Sequence, residues 1–333
     1  MKEKKNRNYL LDNLKVILIF SVVFGHVIEF YMKDSIFLKS IYIYIYIFHM
    51  PLFVFTSGYF SKNIEKCRKS AVKKLLLPYL FFNILWYTIV YIGTGKFMLF
   101  TLASGWTLWY LLSLFFWRIL LKYLIKIKLV IPISIIMGLL VGMLPTGQEI
   151  ISFSRTITFL PFFLLGYYTH NKNLKKINKL GVVVATIGII LSLIIAFNIA
   201  ENNLIYYKFL YNSQSYVSTG LSNLQGVYFR VLLYFGSIIF SICVINVVPK
   251  SKTFYSYIGR WTMNIYVFHI YLILVLYALI PKWNLSLIQN TLIIISPFII
   301  IFILSLNWTQ KLYDKTFNPI YNLYDKLIKF FYK

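Results

Sequence analysis

Long runs of apolar residues, separated by short polar segments, follow one another along almost the whole chain. They lie near 10–31, 38–60, 75–93, 101–121, 129–145, 156–170, 181–199, 228–248, 262–281 and 287–307. Most of these runs approach the ~20 residues that a helix needs to cross the hydrocarbon core of a bilayer. The pattern predicts an all-α integral membrane protein, a bundle of about ten transmembrane helices. It predicts a single domain over residues 1–333.

One segment of the second run alternates isoleucine and tyrosine with a period of two. The alternation runs from Ile41 to Ile47, and on its own it is typical of a β-strand. It lies inside the apolar run 38–60, however, whereas the strands of membrane barrels span only about ten residues and carry polar lumen positions. The segment is therefore predicted to be helical.

The composition supports a membrane protein and excludes other classes. Hydrophobic residues make up 59% of the chain and charged residues only 13%, whereas a soluble domain carries about 25% charged residues. The net charge of +25 raises nucleic-acid binding as an alternative. The 34 basic residues concentrate in alternate polar segments, however, which is the positive-inside pattern of a membrane protein. We therefore predict both termini on the cytoplasmic side of a bacterial cell membrane and no nucleic-acid partner.

The first apolar run carries four ionisable residues at helical spacing. Asp12, Lys15, His26 and Glu29 fall on one helix face, and Lys15 and His26 lie about 16 Å apart along the axis. Ionisable groups within a membrane helix are functional candidates because their insertion is costly. The alternative is that Asp12 and Lys15 extend their charged ends to the membrane surface without a further role.

Four other residues are candidates, each with a structural alternative. His49 precedes Pro51, which is predicted to break the helix beside a cavity; the alternative is a hydrogen-bonded histidine of the bundle. Trp109 lies in an aromatic cluster that also suits the membrane interface. Arg155 suits an anionic or sugar ligand or an interface anchor, and His269 lies about two turns into a late span. The two cysteines have no metal-site spacing, so no metal is expected.

Taken in order, these features resemble the membrane acyltransferase 3 family, and within it most closely the fucose 4-O-acetylase-like branch. The resemblance begins with Lys15, ten intervening residues and His26. It continues through Phe24-Gly25-His26, Phe48-His49-Met50-Pro51-Leu52-Phe53, Ser57-Gly58-Tyr59, Pro78-Tyr79, Leu108-Trp109-Tyr110-Leu111, Phe162-Phe163-Leu164-Leu165-Gly166-Tyr167 and Ile265-Tyr266-Val267-Phe268-His269.

The resemblance implies a ten-helix enzyme that uses cytoplasmic acyl-CoA, usually acetyl-CoA, to O-acylate a carbohydrate. The acceptor is often a cell-surface polysaccharide or its lipid-linked precursor. Two departures stand out: Lys15 occupies a position where many members have arginine, and basic residues at 68, 69, 73 and 74 replace an arginine pair. Many members also carry a C-terminal hydrolase-like domain. This chain ends in a short basic tail, so we expect it to transfer the acyl group unaided or to pass it to a glycan-assembly protein.

The resulting hypothesis gives each candidate a role. His26 acts as general base on the sugar hydroxyl and Glu29 orients its imidazole. The residues predicted to bind acyl-CoA are Asp12, Lys15, Arg68, Lys73 and Lys74. The residues predicted to bind the carbohydrate are His49, Trp109, Arg155 and His269. An acyl-histidine intermediate is the alternative mechanism. A transporter of polysaccharide or lipid-linked sugar and a pH-responsive membrane sensor are the alternative functions.

Overall fold

The computed structural model describes residues 8–96, 103–145, 150–177, 179–280 and 287–331. The described residues form α-helices, short 3₁₀ segments and one isolated bridge between Ala103 and Ile150. The helices are α1 (Tyr9–Glu29), α2 (Ile36–Tyr59), α3 (Ile64–Ala71), α4 (Leu77–Thr94), α5 (Trp109–Leu124), α6 (Val130–Leu140), α7 (Phe153–Tyr168), α8 (Asn171–Ile177), α9 (Val182–Glu201), α10 (Asn223–Val247), α11 (Thr262–Leu279), α12 (Leu287–Leu304) and α13 (Asn307–Phe331). The all-helical prediction is confirmed, and the alternating segment of the second run lies within α2.

Within the described ranges, six helices are long and apolar enough to cross a membrane. They are α1, α2, the continuous rod Ile64–Thr94 that joins α3 to α4, α9, α10 and α11. A seventh is added if α12 and α13 count as one broken span. The predicted runs near 101–121, 129–145 and 156–170 correspond to α5, α6 and α7, which have 16, 11 and 16 residues. The integral membrane class is therefore supported, with fewer full-length spans than the pattern predicted.

The prediction that Pro51 breaks the second helix is wrong. Helix α2 continues through Pro51 from Ile36 to Tyr59. Proline has no backbone N–H, so the carbonyl of Ile47, four residues earlier, loses its helical partner. The Ser237 hydroxyl donates to that carbonyl at 2.6 Å. A neighbouring helix thus supplies the missing hydrogen bond, which is one way that membrane helices tolerate proline.

The basic segment before the third span is helical. Asn63 begins α3 as its N-cap, and its side chain accepts from the Lys66 N–H at 3.0 Å. The helix then widens into a π-helical turn, Val72–Leu76, before α4. Such turns occur frequently at functional sites.

The C-terminal region also differs from the prediction of a short basic tail. Residues Asn307–Phe331 form the 25-residue helix α13. Phe317, on this helix, is completely buried and lies with ring centroids 5.3 Å from Phe81 and 5.7 Å from Phe82. The basic residues in this segment therefore lie on a packed helix.

The described helices fall into two compact units, each assembled from separate segments. Unit 1 comprises residues 1–56, 171–204 and 236–309, and unit 2 comprises residues 57–170, 205–235 and 310–333. Helix α1 is the core of unit 1, where it packs against α11, α12 and the 3₁₀ turn Ser256–Arg260. In the most apolar stretch of α1, 67% of the residues are buried, whereas in that of α9 only 17% are buried. Two apolar helices of similar length thus have different surroundings, and the ionisable residues are on the buried one.

Unit 2 is built around α3, α5, α6 and α7. Gly58 lies directly against the backbone carbonyl of Phe163 in α7, where a Cβ atom would clash. This contact explains why glycine occupies the centre of the Ser57-Gly58-Tyr59 motif. Beside it, the Ser57 and Tyr110 hydroxyls form a hydrogen bond. The Ser57-Gly58-Tyr59 motif and the Tyr110 motif therefore both contribute to the packing of unit 2.

Candidate active site

The imidazole of His26 and the carboxylate of Glu29 form a direct hydrogen bond near the end of α1. His26 Nδ1 lies 3.1 Å from Glu29 Oε2, and the two side chains are 14% and 16% exposed. An ionised carboxylate can only accept, so this bond requires the proton on Nδ1. The lone pair of neutral His26 is then on Nε2, which is the arrangement that a general base needs.

Tyr46 on α2 completes this group, and sequence reasoning missed it. Its hydroxyl donates to Glu29 Oε2 at 3.4 Å and lies 3.5 Å from His26 Nδ1. Gly25 permits the approach, because a Cβ atom there would lie 3.2 Å from the Tyr46 ring. The sequence offers no signal for this role, because nothing in the isoleucine–tyrosine repeat distinguishes Tyr46 from Tyr42 or Tyr44.

The other two candidate histidines of unit 1 lie near His26, and both are buried. The ring centroids of His269 and His26 are 5.5 Å apart. His49 contacts Tyr46 instead, with ring centroids 4.9 Å apart. His49 Nδ1 donates to the Ile45 carbonyl at 2.7 Å, and His269 Nδ1 donates to the Tyr266 carbonyl at 2.8 Å. Each bond fixes the Nδ1–H tautomer of a neutral imidazole.

His269 Nε2 has a property that bears on ligand binding. It is buried, and among the described residues it has no hydrogen-bond partner. A buried acceptor without a partner is costly, so a ligand hydroxyl placed there would gain a hydrogen bond at no further cost to the protein. His26, Glu29, Tyr46 and His269 together form the histidine cluster of unit 1.

Asp12 and Lys15 lie one turn apart at the start of α1. Lys15 Nζ is 3.7 Å from Asp12 Oδ1, and the side chains are 27% and 15% exposed. This separation is long for a strong ion pair. Both groups lie about 16 Å or more along the helix axis from His26.

Asn13, between them, anchors a distant segment and was not recognised in the sequence. Its amide nitrogen donates to the carbonyls of Pro249 and Ser251 at 2.8 and 2.9 Å. Its oxygen accepts from the hydroxyls of Thr253 and Ser256 at 3.1 and 2.6 Å. The segment before α11 is thereby fixed to the first turn of α1.

The basic residues predicted to bind acyl-CoA near the third span have different environments. Arg68 pairs with Glu65 at 3.5 Å. Lys73 pairs with Asp325 of α13 at 2.7 Å, and Lys74 is exposed. Because exposed ion pairs contribute little free energy, an incoming phosphate can compete for these cations.

Lys62, at the start of the same region, has a structural role. It donates to the Tyr167 and Thr169 carbonyls, the second at 2.7 Å, at the end of α7. Burial lowers the pKa of Lys62. A lysine that satisfies helix C-terminal carbonyls in this way stabilises the helix end.

The other two predicted carbohydrate-binding residues meet in unit 2. The Arg155 guanidinium lies 5.2 Å from the Trp109 ring centroid, in the geometry of a cation–π contact. Arg155 Nε also donates to the Tyr211 carbonyl at 2.9 Å. The Trp109 ring also stacks with the Phe159 ring, with centroids 5.2 Å apart. The Trp109 side chain is thus buried within unit 2, and the Arg155 guanidinium lies against its ring.

Arg155 lines a pocket of about 310 Å³ in unit 2. This pocket, called the Arg155 pocket below, lies within the usual size range of small-molecule sites. Its lining residues are Ala103, Ser104, Trp106, Ser152, Arg155, Lys208, Tyr211, Ser213 and Gln214.

A second arginine of unit 2, Arg230, is only 1% exposed and was not a candidate. Its Nη1 donates to the Gly138 carbonyl at 3.2 Å and to the Thr158 hydroxyl at 3.1 Å. The Tyr216 ring centroid lies 4.8 Å from its guanidinium. Burial raises the pKa of Tyr216, so this ring is a neutral phenol beside the cation. We call Arg230 with these contacts the arginine cage.

Within the part of the chain that the structure describes, no group of His, Cys, Asp or Glu side chains could hold a metal ion.

Comparison with known proteins gives the family. The acyltransferase domain of the acyltransferase 3 family matches residues 8–308. This chain belongs to the acyltransferase 3 family. The match includes the histidine cluster and the Arg155 pocket. It favours the acyltransferase interpretation over the transporter and the sensor, and it does not distinguish branches within the family.

Two curated proteins are similar to parts of this acyltransferase-family chain. Nodulation protein NolL of Sinorhizobium fredii is 30% identical over 186 residues, covering 49% of this chain and 48% of that protein. Nodulation protein NolL of Mesorhizobium japonicum is 35% identical over 95 residues, covering 26% and 24%. The chain thus spans about half the length of one relative and a quarter of the other. No solved structure matches the chain.

Proposed function

We propose that this protein is a single-domain membrane O-acyltransferase that moves an acetyl group from acetyl-CoA to a carbohydrate hydroxyl. The observation that carries the proposal is the hydrogen-bonded arrangement of His26, Glu29 and Tyr46, within the region that matches the family. A base oriented by a carboxylate is the arrangement that acyl transfer to a hydroxyl requires.

In the proposed reaction, His26 Nε2 takes the proton of the acceptor hydroxyl as its oxygen attacks the thioester carbonyl. The C–O bond forms, the C–S bond breaks, and the coenzyme A sulfur leaves with the proton returned by the imidazolium. Glu29 stabilises the imidazolium through its bond to Nδ1, and Tyr46 holds the carboxylate in place. His269 Nε2 accepts a hydrogen bond from the sugar.

The donor is proposed to be cytoplasmic acyl-CoA, with its phosphates bound by basic residues. Lys15 is proposed to anchor the coenzyme at the start of α1, with Asp12 one turn away at 3.7 Å. The extended pantetheine arm then follows the helix towards His26. Arg68, Lys73 and Lys74 contribute positive charge from the helix and π-turn before α4. The weak pairing of Arg68 and Lys73 to exposed carboxylates and the exposure of Lys74 support this role.

The acceptor is proposed to be a cell-surface carbohydrate or its lipid-linked precursor. His49 and His269 are its proposed contacts in unit 1. Trp109 and Arg155, in unit 2, are the other residues that we propose to bind carbohydrate. The resemblance to the fucose 4-O-acetylase-like branch supports a sugar hydroxyl as the acceptor. Proteins of glycan assembly are the proposed partners.

The proposed location is the bacterial cytoplasmic membrane, with about ten spans and both termini in the cytoplasm. The six full-length helices and the alternate placement of basic segments support this topology. Helices α5, α6 and α7 are the proposed shorter spans.

The test is the O-acetyl content of the surface glycan, measured by NMR in a deletion strain complemented with variants. We expect His26→Ala to leave acetylation at the level of the deletion strain, because the loss of a general base costs about 10²–10⁴-fold in rate. His170→Ala, a change of an exposed histidine, should restore it fully. Membrane levels of both variants are measured in parallel. Normal acetylation by His26→Ala would remove this residue from the mechanism and the proposal with it.

A further inference from the structure

The Arg155 pocket in unit 2 has a charge that the proposed function does not explain. Arg155 and Lys208 line it, and among the lining residues that the structure describes there is no Asp or Glu. Both cations are only partly exposed. Two positively charged side chains on one small pocket favour an anionic ligand over a neutral one of the same shape.

Arg155 is held ready for such a ligand. Its Nε donates to the Tyr211 carbonyl at 2.9 Å, and its guanidinium lies against the Trp109 ring. These contacts fix the plane of the guanidinium before any ligand arrives. A preorganised arginine loses less conformational entropy on binding, and it can bind a carboxylate or a phosphate through two parallel hydrogen bonds.

The rest of the lining suits a sugar. Ser104, Ser152, Ser213 and Gln214 present hydroxyl and amide groups, and Trp106 and Tyr211 present aromatic surface. The Ser104 and Ser152 hydroxyls form a hydrogen bond with each other, which joins the two segments that bound the pocket. Hydroxyl and amide groups can pair with several hydroxyls of one ligand, which a bare inorganic anion does not have.

We propose that the Arg155 pocket binds an acidic saccharide unit of the acceptor, a sugar that carries a carboxylate or a phosphate. The inference rests on the proposed function for the statement that the acceptor is a carbohydrate, and it adds that this carbohydrate is anionic. Lys208, Ser213 and Gln214 become specificity-determining residues. The pocket recognises the charged unit and takes no part in the chemical step.

The test measures binding alone, with the full chain in lipid nanodiscs and no acyl donor. Two matched pairs of probes are compared by equilibrium dialysis: a hyaluronan tetrasaccharide with its carboxyl-reduced form, and maltotetraose 1-phosphate with maltotetraose. We expect one charged probe to bind about 10-fold more tightly than its neutral counterpart, as hydrogen bonds to a charged group predict. The preferred pair identifies the anion as carboxylate or phosphate.

Variants locate the preference. Lys208→Gln should lose most of the discrimination between the charged and the neutral probe, and Lys208→Arg should keep it. Lys96→Gln, the same change at an exposed lysine of unit 2 outside the pocket, is the matched control and should bind like the parent protein. Inorganic phosphate, as a further probe, should bind more weakly than the preferred saccharide.

Three results would overturn the inference. They are equal binding of both members of each pair, an equal loss in Lys208→Gln and Lys96→Gln, and binding of inorganic phosphate as tight as that of the saccharide. Because no transfer is measured, these outcomes leave the proposed acyltransferase function intact. Conversely, a charge preference together with unchanged glycan acetylation by His26→Ala would reject the proposed function alone.

Discussion

The histidine cluster of unit 1 and the arginine cage of unit 2 both bury ionisable groups among apolar helices, but their partners differ. His26 bonds to a carboxylate and lies beside Tyr46 and His269, groups that can exchange protons or accept a ligand hydroxyl. Arg230 donates to the Gly138 carbonyl and the Thr158 hydroxyl and lies over an aromatic ring. The cage fastens segments together, whereas the cluster can do chemistry.

The comparison teaches that burial of a charge does not by itself identify an active site. Arg230, at 1% exposed, is more deeply buried than His26. Ionisable residues in membrane helices are functional candidates by default, and by that rule alone Arg230 would rank above His26. The identity of the groups decides between them, because an imidazole bonded to a carboxylate can take up and return a proton near neutral pH, whereas a guanidinium bonded to a carbonyl and a hydroxyl stays protonated.

Among changes in the histidine cluster and the arginine cage, we expect the largest effect from Glu29→Gln, which should lower the activity. Glutamine keeps an acceptor oxygen for His26 but loses the charge that stabilises the imidazolium. We expect kcat for acyl transfer to fall by about 10²–10⁴-fold, with unchanged thermal stability. Glu65→Gln, the same change at an exposed carboxylate paired with Arg68, is the control and should leave kcat unaltered. A full-activity Glu29→Gln enzyme would make the cluster as structural as the cage.

Next in size is Arg230→Ala, which should act on stability. The substitution removes two hydrogen bonds and leaves a cavity, which costs about 3 kcal/mol of unfolding free energy by analogy with other large-to-small core changes. Thermal unfolding in detergent measures it. The kcat of the folded fraction should stay within about twofold of the parent value. A large loss of kcat with unchanged stability would move Arg230 into the catalytic machinery.

The smallest effects come from a matched pair of hydroxyl deletions, Tyr46→Phe and Tyr234→Phe. Tyr46 donates to Glu29, whereas Tyr234 donates to the Thr158 carbonyl at 2.8 Å beside Arg230. Each deletion removes one hydrogen bond, worth about 1 kcal/mol. In Tyr46→Phe we expect this loss in kcat, about fivefold, with KM for the acceptor unchanged. In Tyr234→Phe we expect it in stability alone. The same response from both variants would erase the difference between the two regions.

Much of this molecule could be predicted from local sequence. The helical class, the helicity of the Ile41–Ile47 segment and the proximity of His26 to Glu29 follow from apolar length and from spacings of three or four residues. Those properties depend on a single helix. The same spacing predicted that Asp12 and Lys15 lie close together, and Lys15 Nζ is 3.7 Å from Asp12 Oδ1.

What could not be predicted depends on contacts between distant segments. The Tyr46 hydroxyl bonds to Glu29 across two helices, and Gly25 leaves room for the Tyr46 ring against α1. The continuity of α2 through Pro51 depends on Ser237, which is far along the chain. Arg230 was not a candidate in the sequence, because its carbonyl, hydroxyl and ring partners come from segments outside α10. No spacing rule within one helix contains this information.

The amide of Asn13 shows how a distant contact limits mutational tolerance. Its two N–H groups and its oxygen's two acceptor positions are all used, by Pro249, Ser251, Thr253 and Ser256. Aspartate would offer only acceptors to two carbonyl oxygens, and glutamine would reach too far by one methylene group. A helix position that looks ordinary in the sequence is therefore restricted to one amino acid by a segment more than two hundred residues away.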